Sequence, residues 1–294
     1  MKIFYSGALN HVKILERNNI KNILISIHGI SDISKKIKSN EWMIDGTREL
    51  IIDNGAFSAW NSGKKIITVE EYSEFVNKFH KEFSPFFKNI YYIGLDHIPG
   101  KKNQKPSKNQ IDKACEITFS NFKYMIDKGC KNILPVVHQF ENVNWIKEYE
   151  KYTDFICLSP ANDQSNKSRA LWLDEAYSVI NKETKTHGLA ATGKYLVNKY
   201  PWYSTDSISW IKPFVFGQVF DWDFFELYLH RFAVIDWEKK QNFKLYEIFL
   251  SYFNDELSQQ QKAEYHIDYH ISQYIKLERY MTELWKKRGV TWND

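Results

Sequence analysis

The chain of 294 residues is 43% hydrophobic and 16% aromatic, which is enough to bury one large core or two small ones and excludes disordered and collagen-like classes. Forty Lys and Arg against 36 Asp and Glu leave a formal charge of +4, which suits contact with a polyanion without requiring one. Cys115, Cys130 and Cys157 are odd in number and too far apart for a disulfide framework or a C-x-x-C site. The first nineteen residues lack a sustained apolar segment and no run of eighteen apolar residues occurs, so a soluble, cytoplasmic protein without membrane contact is expected.

In chain order, short β-branched or aromatic runs with strand character occur at residues 2–5, 23–27, 50–53, 90–96, 133–138, 155–158, 187–191 and 203–209. Amphipathic stretches of helical period lie between them at 70–83, 110–128, 143–152 and 169–181, and 31–48 reads as a weak helix that is partly loop. Alternating strand and helix is the βαβ pattern, and eight such units predict a (β/α)8 TIM-type barrel over residues 1–218. A doubly wound open sheet is the competing architecture, which periodicity does not separate from the barrel. From residue 219 the texture changes to Trp, Phe, Tyr and Lys. Ile267, Ile271, Tyr274, Leu277, Met281 and Leu284 stand at helical spacing, so 219–294 is expected to form the final barrel helix and a helical C-terminal extension packed on the barrel.

In such a barrel the chemistry sits at the C-terminal ends of the strands, and these ends are polar here. The third runs into Asp53-Asn54-Gly55-Ala56-Phe57, the fourth into Asp96-His97, the fifth into His138-Gln139 and the sixth into Ser159. The seventh carries His187 and the eighth Ser204-Thr205-Asp206-Ser207. One Asp after a strand is usually a helix cap or turn residue. Three of them, Asp53, Asp96 and Asp206, converging on one rim predict a shared polar pocket. Two carboxylates flanking a glycosidic carbon are the apparatus for exchange at an anomeric centre, one attacking and the other moving protons. A third carboxylate can read a base edge.

Asp53-Asn54-Gly55-Ala56-Phe57 is similar to the D-S-G-G-F segment of the tRNA-guanine transglycosylases, and residues 186–210 resemble the stretch leading to their nucleophilic aspartate. Within that superfamily the chain looks most like the DpdA-like DNA 7-deazaguanine transglycosylases of phages and bacterial islands. Their D-x-G-A-F, L-D-x-I-P-G, P-V-x-H-Q, S-P-A-N-D and P-W-Y-S-x-D-S-x-S-W motifs are legible here in that order, over roughly residues 1–212. The resemblance implies a (β/α)8 barrel with Asp206 as nucleophile on C1′ and Asp53 as general acid/base. It places Asp96 on the Watson–Crick edge of the purine, Gln139 and His138 toward its O6 side and Phe57 stacked on its face, with Ser159 and His187 on neighbouring strand ends. It implies DNA and a free 7-deazaguanine base as co-substrates, with no metal or other cofactor, and leaves open helper proteins and a homo-oligomer.

The tRNA enzymes carry a zinc subdomain with a C-x-C-x-x-C pattern and a His, whereas this chain has no Cys beyond Cys157. A closed zinc site needs about four N or S ligands. Its lack points away from tRNA and toward the DNA-directed branch; a tRNA-guanine transglycosylase without its zinc subdomain and a non-catalytic nucleic-acid-binding barrel are the alternatives. A glycoside hydrolase acting on free sugars is disfavoured because the motif set matches base exchange. His266 and His270, at i and i+4, read as a packed or solvated pair. Lys101, Lys102, Lys105 and Lys108 follow Asp96 and are expected to grip phosphates. Trp202, Tyr203 and Trp210 read as core residues.

Overall fold

The computed structural model describes residues 1–39, 46–62, 67–100, 106–212, 218–223, 228–233 and 256–292, for the two short segments 218–223 and 228–233 as backbone. Nine parallel strand segments alternate with helices in a nearly closed α/β barrel: β1 (Lys2–Ser6), β2 (Asn22–Ser26), β3 (Glu49–Asp53), β4 (Asn89–Ile93), β5 (Ile133–Leu134), β6 (Val136–His138), β7 (Phe155–Ser159), β8 (Lys185–Gly188) and β9 (Ser204–Ser207). Their order, β5-β4-β3-β2-β1-β9-β8-β7-β6, runs round the ring from one side of Pro135 to the other. Segments β5 and β6 are therefore the single expected fifth strand. Proline has no N–H to give the ladder, so the strand is interrupted there, yet the Pro135 carbonyl still accepts from Cys157 N at 2.8 Å and Leu134 O from Gly94 N at 2.8 Å. Pairing of β1 with β9 excludes the open sheet.

Strand alternation sorts the core into two layers. Phe4, Leu24, Ile51, Ile93, Leu134, Val136, Phe155 and Cys157 form one buried cluster, while their neighbours Ile3, Tyr5, Ile23, Ile25, Leu50, Ile52, Val137 and Ile156 join the other. The first fills the barrel; the second meets the helices, as expected of a packed β/α barrel. Those helices are α1 (Val12–Arg17), α2 (Ile30–Lys38), α3 (Ala56–Ser62), α4 (Val69–Phe83), α5 (Lys108–Asp127), α6 (Asn144–Tyr149), α7 (Asn166–Val179) and α8 (Lys194–Lys199). Helix α2 realises part of the weak 31–48 stretch because Ile30, Ile33 and Ile37 line one buried face. Thr68 with Glu71 and Ser107 with Gln110 close capping boxes that start α4 and α5.

Among the described residues from 218 onward, two short segments differ from the expected helices. Residues Gln218–Asp223 (β10) and Tyr228–Ala233 (β11) form an antiparallel pair, in keeping with the strand preference of short aromatic-rich segments. The last helix, α9 (Gln259–Lys287), begins at a Ser258–Gln261 capping box and holds the eighth outer position of the ring. Its Ile267, Ile271, Tyr274, Leu277 and Met281 enter the core shared with the strands. At one side Arg17 of α1 pairs with Glu264 and Asp268, and at the other Trp285 Nε1 donates to Val197 O of α8 at 3.1 Å. The final barrel helix expected within 219–294 is thus α9, in a C-terminal region that packs on the barrel as a helix. His266 and His270 are fully buried in this packing, where burial and the neighbouring His266 push His270 down to about 3. Among the described residues no helix is long and apolar enough to cross a membrane.

Candidate active site

Alternation carries the barrel interior directly into the site. Ile51 faces inward, so two residues later Asp53 faces the same way at the end of β3. Asp206 stands opposite Phe4 in the β1–β9 register. Cys157, wholly buried in the barrel interior, has its thiol pushed far up by burial and then by the charges of Asp206, Asp96 and Asp53. One buried group therefore lies within electrostatic reach of all three carboxylates, which stand together at the C-terminal ends of the strands.

The three carboxylates sit in three different environments. Asp206 Oδ2 accepts from Ser6 Oγ at 2.8 Å and Oδ1 from the Ala190 backbone N–H at 2.7 Å, while His187 Nε2 lies 3.5 Å from Oδ1. Ala190 holds φ +50°, an unusual left-handed conformation for a residue with a side chain. His187 is buried, with Nδ1 on Ser204 Oγ at 2.8 Å, so it underlies Asp206 and stays away from the mouth. Asp53 is pushed up to about 7, chiefly by burial, then by the like charges of Asp96 and Asp206, against which hydrogen bonds from the Gly55 and Asn54 backbone pull it down. A carboxyl group poised near neutrality can give and take a proton at physiological pH.

Asp96 behaves oppositely. It is 8% exposed, and burial pushes it upward, but His138 Nε2 at 2.7 Å on Oδ2 and Asn54 Nδ2 at 2.7 Å on Oδ1 outweigh that and hold it below the ordinary carboxylate range. Burial likewise depresses His138, yet its bond to Asp96 and the charges of Asp96 and Glu141 raise it overall. A hydrogen bond from its own backbone adds to these two and further favours the anion. Asn54 is itself fixed by donating to Gly94 O and accepting from Ala56 N, each at 2.7 Å.

The remaining expected residues divide between the mouth and its supports. Phe57 is 62% exposed at the start of α3, with its ring 6.0 Å from that of Trp60, whose Nε1 donates to Gly100 O in the loop after Asp96. Gln139 is buried, and its amide bridges two neighbours: Oε1 accepts from Ala161 N at 2.9 Å and Nε2 donates to Ser168 Oγ at 3.1 Å. It braces the loop after β7 and the start of α7. Ser159 ends β7 opposite His138. Lys108 is the exposed first residue of α5, whereas Lys101, Lys102 and Lys105 lie outside the described residues. Among the described residues no group of three or more His, Cys, Asp and Glu side chains is disposed to hold a metal ion.

Several site residues escaped the sequence reading. Ser6 bonds Asp206 from two hundred positions away, although a polar residue closing the first strand was a usable signal. His28, exposed after β2, lies against Gly55, whose φ of +76° favours glycine at that position. Glu141, buried beside His138, is pushed up to about 7, mainly by burial. No protein-family model matches the chain, and no curated protein matches it in sequence.

Proposed function

We propose that this barrel is a base-exchanging glycosyltransferase of the tRNA-guanine transglycosylase superfamily, DpdA-like branch, which replaces a guanine in DNA by a free 7-deazaguanine. The observation that carries the reading is that three clustered carboxylates sit in three environments: Asp53 poised near 7, Asp96 held anionic by His138 and Asn54, and Asp206 oriented by Ser6 and the Ala190 N–H. In the proposed cycle an Asp206 oxygen attacks C1′ of the target nucleotide and the C1′–N9 bond breaks. The departing guanine takes a proton from Asp53 on a ring nitrogen. The incoming base returns its N9 proton to Asp53 as N9 attacks C1′ and displaces the Asp206 carboxylate, so charge and protons balance over the cycle. Asp96 accepts from the N1 hydrogen and exocyclic amine of the purine, with Phe57 against the ring face. The target base must leave its stack to enter.

The cysteines are all free and buried, which fits a reducing compartment. Incubation with radiolabelled guanine and either duplex DNA or bulk tRNA tests the reading: label in DNA is expected, label in tRNA alone favours the tRNA-directed alternative, and label in neither removes the activity. For affinity, replacing Lys101, Lys102, Lys105 and Lys108 by Ala is expected to flatten the plot of log affinity against log salt by about one unit per lost phosphate contact. An unchanged slope would make the segment a solvated surface. For recognition, Asp96→Ala is expected to slow exchange by roughly ten- to a hundredfold, the equivalent of losing one hydrogen bond to a charged group. It should also erase the preference for guanine over hypoxanthine, which lacks the exocyclic amine. A variant that keeps the wild-type preference would show that Asp96 does not read the base.

A further inference from the structure

The turn that follows β6 presents an aromatic ring at an energetic cost for which the described fold shows no return. Glu141 N donates to His138 O at 3.1 Å, closing a four-residue turn with Phe140 in its third position at φ +80°. That position favours glycine or asparagine, and a bulky side chain there is an outlier that persists only where the surroundings impose it. The imposition is visible on both sides. Gln139 is pinned through Ala161 N and Ser168 Oγ, and Glu141 is buried against Cys115 and His138. Between these two buried polar residues Phe140 is thrust out and 51% exposed. The ring takes no place in either core cluster. It stands two residues past His138, the partner of Asp96, and with Phe57 it is an exposed aromatic at the carboxylate-bearing end of the barrel.

We infer that Phe140 is a stacking platform for an unstacked nucleobase at the mouth of the site. A planar, weakly solvated ring face is what an exposed Phe recognises best, and stacking on aromatic side chains tolerates any base identity. The inference rests on the base-exchange reading for its context, while its test is a binding measurement that needs no turnover. The probes are an oligonucleotide containing one 2-aminopurine, whose fluorescence reports unstacking and restacking, and free 2-aminopurine base. Phe140→Gly is expected to weaken oligonucleotide binding by about 5- to 150-fold, the range for loss of one base–aromatic stack. The fluorescence change on binding should be lost with it, and Phe140→Trp should restore both.

The same Phe140→Gly variant is expected to melt at or above the wild-type temperature, because glycine accepts the positive φ, whereas Phe140→Ala, which keeps the strain, should melt below it. A loss confined to the oligonucleotide places the ring on a base of the polymer; a loss confined to the free base places it on the exchanged purine. Unchanged binding of both probes overturns the inference, as does a Phe140→Gly variant that melts well below the Ala variant, which would make the ring structural. If the stack is lost in Phe140→Gly but wild-type protein labels neither DNA nor tRNA, the exchange reading falls and the platform stands. If wild-type protein exchanges base and Phe140→Gly binds both probes normally, the platform falls alone.

Discussion

Asp206→Asn is expected to abolish base exchange, a loss on the order of 10⁴-fold or more, and with it any denaturation-resistant adduct between protein and nucleic acid. The amide cannot form a stable glycosyl ester, yet it fits the space: its oxygen still accepts from the Ala190 N–H, and the Ser6 hydroxyl turns to accept from its nitrogen. Thermal stability should therefore stay close to that of the wild type. This separates loss of the nucleophile from loss of the fold. Trapping the adduct on a denaturing gel with wild type and variant side by side is the measurement. An adduct that survives in the variant assigns covalent chemistry to another residue, and Asp53 would be the next to test.

Asp53→Asn is expected to cost about 10²- to 10⁴-fold in adduct formation, the usual range for removing a general acid, while making the protein more stable at alkaline pH. The two effects share one cause. Asp53 is raised from 3.8 to about 7 in the folded chain by burial and by Asp96 and Asp206. Its proton is therefore held more tightly folded than unfolded. The stability this contributes is fully present below about pH 4 and is lost as the pH rises through about 7. Asn mimics the protonated form at every pH. The melting temperatures of wild type and variant should coincide near pH 4, separate between pH 4 and 7, and stay apart above that with the variant higher. Single-turnover adduct formation by the wild type should fall about tenfold per pH unit above 7 as the acid form is depleted. In the variant that dependence should disappear. Parallel melting curves at all pH values would remove the raised Asp53 as both acid and source of instability.

These results would also bear on why a barrel keeps such a cluster. Three carboxylates over an apolar interior of Phe4, Ile51, Ile93 and Cys157 repel one another in a poorly solvated space. The chain offsets this locally, with His138 and Asn54 on Asp96 and with Ser6 and the Ala190 N–H on Asp206. Among the described residues Asp53 receives backbone hydrogen bonds alone, and it titrates upward instead. Stability given up at a buried carboxyl group is the trade expected if Asp53 exchanges protons as proposed.

Much of this was determined by local pattern. Period-two alternation places Asp53 two residues after Ile51 and so on the barrel interior, and β-branched runs separated by amphipathic helices specify a parallel α/β architecture with its polar residues at the strand ends. Those features depend on neighbours in sequence, and the sequence shows them. Closure of the ring, the interruption at Pro135 and the arrival of α9 in the eighth outer position depend on which distant segments meet, and periodicity carries no such information. The hairpin of β10 and β11 misled for the same reason, since aromatic-rich segments suit either a helix or a strand until a partner decides.

At the site the sequence determined residue type and position, while the tertiary structure decided state. Asp53, Asp96 and Asp206 are the same side chain at similar places on three strands. They differ because His138, Asn54, Ser6 and the Ala190 backbone come from other strands and loops. Gln139, which the resemblance places toward the purine, spends its amide on Ala161 and Ser168, a bond pattern that only the packed loops define. A carboxyl group's proton affinity is set by burial, charge and hydrogen bonding within a few ångströms in space. In a barrel those ångströms are filled by residues far apart in the chain.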